Sequence, residues 1–121
     1  MKVKEGYRKD LDKNFRSQME ANVYRYLTEC HPGLRLVEYE PHLFTKRDGM
    51  PKGVHYLPDF RCTTHSGTQF YIEVCPVLDL RHKRNVGHFR HYTKHRIEVV
   101  DNDKYKEIKR RFARKTRGWE Y

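Results

Sequence analysis

Tyr56-Leu57-Pro58-Asp59-Phe60 and, thirteen residues beyond Phe60, Glu73-Val74-Cys75 decide how this chain is read. Between them lies Thr64-His65-Ser66-Gly67-Thr68, a hairpin-sized loop. The stretches on either side, His55–Thr63 and Gln69–Cys75, are rich in branched and aromatic residues and are predicted as strands. If they pair antiparallel, Asp59 falls nearly opposite Glu73. Side chains alternate faces with period two, which puts Phe60, Cys62, Phe70, Ile72 and Val74 on a core face and Asp59, Tyr71, Glu73 and Cys75 on the other.

Two adjacent carboxylates repel and are costly to desolvate unless something neutralises them. A hard divalent cation does so through oxygen ligands, and the Val74 carbonyl is available as a third. Such an ion polarises a phosphate and lowers the pKa of a bound water. The alternative is that Asp59 and Glu73 are solvated hairpin residues paired with a nearby Lys or Arg. Spacing alone does not choose between the two.

Outward from the hairpin, the first 14 residues are polar and charged and read as an arm, within one domain spanning 1–121. A helix is predicted from about Ser17, with Met19, Val23, Tyr26, Leu27 and Cys30 on one face and His31-Pro32-Gly33 as its stop. Leu34–Glu40 reads as a strand, and Lys46–Gly53 as a loop with Asp48-Gly49 and Met50-Pro51 as turn signals. Asp79 suits the N-cap of a helix over Leu80–Tyr92, although Gly87 is a poor helix former. Arg96–Val100 reads as a strand, and Asp101-Asn102-Asp103 caps a last helix with Tyr105, Ile108 and Phe112 on one face. The order α-β-β-β-α-β-α predicts an α/β fold, a central mixed four-stranded sheet flanked by helices.

Charge narrows the function. With 121 residues, 36% hydrophobic and 35% charged, the chain has one lean core, and its sixteen aromatic residues take it out of the disordered class. Twenty-six Lys and Arg against 16 Asp and Glu leave a net charge of +10, which points to a polyanion, nucleic acid first. No apolar run reaches the ~20 residues of a membrane helix, and Met1 to Phe15 holds no signal-peptide segment. The three cysteines, Cys30, Cys62 and Cys75, form no CxxC pair and fit reduced thiols in a cytoplasmic compartment.

The surrounding residues carry a resemblance. Phe15-Arg16-Ser17-Gln18-Met19-Glu20 opens the first helix, Val37-Glu38-Tyr39-Glu40 lies in the first strand, and His55-Tyr56-Leu57-Pro58-Asp59-Phe60 and Tyr71-Ile72-Glu73-Val74 follow. In this order the chain resembles the PD-(D/E)XK nucleases, and most closely the small phage Holliday-junction-resolving endonucleases among them, well over residues 15–76 and beyond that only as an α-β-α pattern. The resemblance implies a restriction-endonuclease-like sheet, Mg²⁺ or Mn²⁺, a DNA substrate and a homodimer in the cytoplasm of a bacterial or phage-infected cell. It implies that Lys46–Gly53 lies where such dimers connect or exchange elements. It also implies that Asp59 and Glu73 hold the metal, with Val74, and that Glu20 and Glu38 reach the site. Ser17-x-x-Glu20 is equally a capping box. Glu38 and Glu40 share a face by parity, and the family pattern favours Glu38.

The chain departs from the family where a lysine normally follows two residues after the Glu, for here stands Cys75, followed by Pro76. A thiol supplies no fixed positive charge. Lys83 or Arg81 can substitute, the metals can suffice alone, or the chain is a catalytically silent nuclease-fold protein that binds DNA or a protein. Arg16, Arg81, Lys83, Arg84, His88 and Arg90 are candidate phosphate contacts. His88, His91 and His95 fit a solvated polar face better than a zinc site. No RNA-binding motif is present, and Trp119 is expected to pack against the body of the domain.

Overall fold

The computed structural model describes residues 5–121. It is an α/β protein whose mixed four-stranded sheet is flanked by helices. A short hairpin, β1 (Gly6–Arg8) and β2 (Lys13–Phe15), precedes α1 (Gln18–Glu29), β3 (Leu34–Tyr39), β4 (Phe60–Thr64), β5 (Gln69–Val74), α2 (Leu80–Thr93), β6 (Ile97–Val100) and α3 (Asn102–Phe112). The sheet order is β3-β4-β5-β6; β3, β4 and β5 are antiparallel neighbours and β6 lies parallel to β5. A parallel pair needs a crossover, and α2 is that crossover.

The β4–β5 register pairs Phe60 with Ile72 and Cys62 with Phe70. Alternation then divides the core. Phe60, Cys62, Phe70, Ile72 and Val74 pack with Ala21, Val23 and Leu27 of α1 and Ile108 of α3. On the opposite face Tyr71 and Ile97 pack with Phe44, Met50, Tyr56 and with Val86 and Phe89 of α2. Trp119 is buried and stacks on Tyr105, ring centroids 5.8 Å apart, which seals the α3 side.

Two expectations are corrected. The described part of the first 14 residues is not an arm but the β1–β2 hairpin, with Arg8 buried and its Nε donating to Glu120 at 2.8 Å; residues 1–4 lie outside the described residues. The strand predicted from His55 begins only at Phe60. Pro58 has no N–H to give a ladder, so the segment before Phe60 runs as a loop, with an isolated β-bridge between Tyr56 and Phe44. The Lys46–Gly53 loop is anchored by a capping box, Thr45 and Asp48, and by buried Met50. Gly49 there takes φ 98°, and a Cβ on it would meet the Tyr92 carbonyl at 3.0 Å, so the turn requires glycine. All three cysteines are free thiols, and among the described residues no helix is long and apolar enough to cross a membrane.

Candidate functional site

The carboxylates meet at one end of the sheet. Asp59 sits just before β4, one step beyond the Phe60–Ile72 pair, which brings it opposite Glu73. Its Oδ2 accepts the Val74 N–H at 2.6 Å, and its backbone carbonyl accepts the Glu40 N–H at 2.7 Å. Asp59 is thus bound to both neighbouring strands and is 2% exposed. Glu73 is half-buried beside it, and Tyr56 donates its hydroxyl to Glu73 Oε1 at 2.6 Å.

Glu20 enters from α1. Ser17 caps the helix by accepting the Glu20 N–H at 3.1 Å. The return bond of the box goes one residue further, because Glu20 Oε1 accepts the Arg16 N–H at 3.1 Å rather than that of Ser17. Glu20 Oε2 also binds Arg16 Nη2 at 2.9 Å, and Tyr39 donates its hydroxyl to Oε1 at 2.8 Å. The capping and site readings of Glu20 are therefore compatible: one buried carboxylate caps the helix and faces Arg16.

Arg16 joins the acids. Its Nη2 lies 2.5 Å from Asp59 Oδ1, 2.9 Å from Glu20 Oε2 and 3.6 Å from Glu40 Oε2. Glu38, the residue expected at the site, is not brought there; it pairs with Arg61 across β3–β4, with both bonds at 2.8 Å. Glu40 takes its place. Parity fails because Glu40 adopts a left-handed backbone, φ 46°, as the chain leaves β3 before Pro41, and its carboxylate swings toward Arg16.

Electrostatics mark the pair as strained. Burial pushes the Asp59 carboxyl well above its ordinary value, and the charges of Glu73 and Glu20 push it further. Burial also raises Glu73, against the pull of Tyr56, His82 and Arg16. Burial opposes the Arg16 charge, yet Glu20 and Asp59 hold it more firmly than an exposed arginine. Cys75 is 1% exposed, and burial together with Glu73 and Asp59 pushes its thiol up to about 11. It is a neutral group beside the acids and cannot do the work of a lysine charge.

The substitutes suggested by the sequence are elsewhere. Arg81, Lys83 and Arg84 are exposed on α2, and among the described residues their side chains make no hydrogen bond to the acids. His82, between them, faces Glu73 and is held by Asp79, Nδ1 to Oδ1 at 2.8 Å. Arg90 is committed to the fold, donating to the Ile97 carbonyl at 2.7 Å. His88 and His91 both lie against Tyr92, whereas His95 lies in a loop against Phe44 and Tyr71, so the three histidines are not gathered around one point. Sequence reasoning missed Tyr39, Tyr56 and His82 at the site and weighed Glu40 only as the alternative to Glu38. Tyr56 and Tyr39 were visible as neighbours of the quoted motifs, but nothing in their spacing showed where the hydroxyls would go.

A buried and a half-buried carboxylate side by side are hard-oxygen donors that fit a divalent cation in kind. Among the described residues no three His, Cys, Asp or Glu side chains are set around one point to hold a metal, and a guanidinium stands in their midst. The chain matches no protein-family model and no curated protein.

Proposed function

We propose that the chain is a metal-dependent DNA endonuclease of the PD-(D/E)XK type that hydrolyses phosphodiester bonds, most readily in branched or junction DNA. The observation that carries this reading is buried Asp59 beside half-buried Glu73, both raised in pKa by burial and Asp59 further by the charge of Glu73, in a chain of net charge +10. Asp59, Glu73 and the Val74 carbonyl would hold Mg²⁺ or Mn²⁺, which when bound activates water and screens the phosphate charge. The protein's own part is positional. The Val74 N–H fixes Asp59, Tyr56 fixes Glu73, and Tyr39 and Arg16 fix Glu20, so the carboxylates are oriented before substrate arrives. Exposed Arg81, Lys83 and Arg84 on α2, the next element after β5, are suited to the phosphate backbone. Cutting both strands of a junction needs two sites related by a two-fold axis, so the working form on this reading is a homodimer, acting in the cytoplasm of a bacterial or phage-infected cell.

A second reading has its own support: buried, neutral Cys75 where the family carries lysine favours a silent nuclease-fold DNA- or protein-binding protein. Cleavage of labelled four-way junction, linear duplex and single strand in Mg²⁺, Mn²⁺ or EDTA separates the two. The endonuclease cuts the junction only with metal, and Asp59→Ala or Glu73→Ala abolishes cutting while DNA binding survives. Lys83→Ala and Arg84→Ala should each flatten the log–log salt dependence of binding by about one unit. Metal-independent binding with no cleavage of any substrate would favour the silent protein.

A further inference from the structure

Arg16 is unusual among the ion pairs of this molecule. One nitrogen, Nη2, reaches three carboxylates: Asp59, Glu20 and Glu40. The acids are mostly withdrawn from water, with side chains 3%, 7% and 32% exposed, whereas Arg16 is 55% exposed. The guanidinium therefore reaches in from the solvent side, and it can leave without opening the core. Its backbone stays fixed meanwhile, because the Arg16 N–H is bonded to Glu20. With Glu73 alongside, four carboxylates face one arginine, so the cluster is short of positive charge even with Arg16 in place.

A divalent cation on Asp59 and a guanidinium 2.5 Å from the same carboxylate cannot comfortably coexist. Two cations sharing one carboxylate lie only a few ångströms apart and repel strongly in a buried setting. Building on the nuclease reading, we propose that Arg16 is an internal counterion that the metal displaces from Asp59, and that the displaced guanidinium then takes the DNA phosphate at the same site. A planar fork of donors suits phosphate geometry, and its anchor at the start of α1 keeps it at the mouth of the site. Arg16 thereby provides the fixed charge that Cys75 cannot. It suppresses metal binding in the free protein and favours it once a phosphate holds the arginine, a reciprocal coupling of the two ligands.

The test is Mn²⁺ binding to the free protein by calorimetry, read beside single-turnover junction cleavage at saturating Mn²⁺. Arg16→Gln should bind Mn²⁺ about tenfold more tightly than the native chain and yet cleave about a hundredfold more slowly. Opposite signs are the signature, since a merely structural arginine would weaken both. In thermal melts, Mn²⁺ should raise the midpoint of Arg16→Gln more than that of the native chain. Arg16→Lys keeps a charge without the fork and should fall between the two in both measurements; it also serves if Arg16→Gln folds poorly. Unchanged or weaker Mn²⁺ binding by Arg16→Gln overturns the counterion role, and tighter binding with undiminished cleavage overturns the phosphate role. If neither the native chain nor Arg16→Gln shows Mn²⁺ binding that Asp59→Asn removes, the nuclease reading itself fails and takes this proposal with it.

Discussion

Helix α1 carries two buried charge clusters, five residues apart, and they are built on opposite principles. Around Arg25 the charges balance: Arg25 binds Asp10 through two bonds at 3.0 Å and Glu120 at 2.7 Å, and Arg8 binds Glu120 at 2.8 Å. Asn22 completes the set, accepting from Arg25 and from the Glu120 N–H and donating to the Glu120 carbonyl. Two cations meet two anions. The bond from Arg25 lowers the Asp10 pKa, and for Glu120 the bonds from Arg8 and Arg25 outweigh burial. Around Glu20 three carboxylates share Arg16, with Glu73 alongside, and Asp59 and Glu73 are raised instead of lowered. The balanced cluster staples the N-terminal hairpin and the C-terminal residues to α1. The unbalanced one holds unfavourable energy in the fold, the pattern expected where a ligand is to bind.

Breaking the balanced cluster should give the larger stability effect. Arg25 is 4% exposed, and Arg25→Ala would take from Asp10 its bonded arginine, leave Glu120 to Arg8 alone and loosen both chain ends. Removing one partner of a buried ionic network costs about 3 kcal/mol, on the order of 10 °C in melting temperature for a domain of this size. Thermal denaturation followed by circular dichroism measures it. Gly118→Ala should act in the same direction, since φ is 77° there and a Cβ would lie 2.5 Å from Asp10 Oδ2. A loss below about 1 kcal/mol in Arg25→Ala would show that the network is incidental to the fold.

Breaking the unbalanced cluster should stabilise. Asp59→Asn keeps an acceptor for the Val74 N–H and removes a charge that Glu73 and Glu20 repel, a gain of ~1–2 kcal/mol at pH 7. The pH dependence has a definite sign. A carboxyl raised in the folded state binds its proton more tightly there than in the unfolded chain, so Asp59 costs the native protein stability as pH rises from its ordinary 3.8 through the higher folded value. Below 3.8 both states are protonated and the advantage of Asp59→Asn disappears. Asp10 and Glu120 work the other way: their stabilisation is present above the ordinary carboxylate range and is lost as pH falls through their lowered folded values. Denaturant unfolding of native and Asp59→Asn chains between pH 3 and 8 should give curves that converge at low pH. Parallel curves would place the source of the strain away from Asp59.

The same contrast shows what a sequence discloses. Alternation over Phe60–Thr64 and Gln69–Val74 was enough to face Asp59 with Glu73, because period-two geometry and a short loop leave little freedom. The helical faces of Ile108 and Val23 were legible for the same reason. The Glu38 and Glu40 choice was not, because it turned on one left-handed residue, and φ at Glu40 follows from how β3 exits toward Pro41 rather than from any period. The Arg25 network escaped notice because its members lie at positions 8, 10, 22, 25 and 120, and long-range polar pairing leaves no local pattern. The hairpin of three-residue strands is too short and too polar to register as strand.

Position 75 is where the two kinds of information conflict most, and it carries the smallest expected effect. By the pattern of the nucleases the sequence resembles, position 75 should supply charge; by structure Cys75 is a buried neutral thiol whose N–H is spent on the Val100 carbonyl. A neutral thiol next to carboxylates offers no charge to a developing phosphate oxyanion, so deleting its sulfur should barely alter the barrier. Cys75→Ala is therefore expected to cleave within about twofold of the native single-turnover rate, under ~0.5 kcal/mol in the barrier, with a stability loss of ~1 kcal/mol for the small cavity. The comparison with Arg16→Gln makes this informative, since the two variants sit on either side of the same carboxylates. If the charge resides on Arg16, the arginine variant loses cleavage and the cysteine variant keeps it. A Cys75→Ala chain that loses a hundredfold in rate at unchanged metal affinity would instead make the thiol a participant in the chemistry. Catalysis at this site would then not run through Arg16.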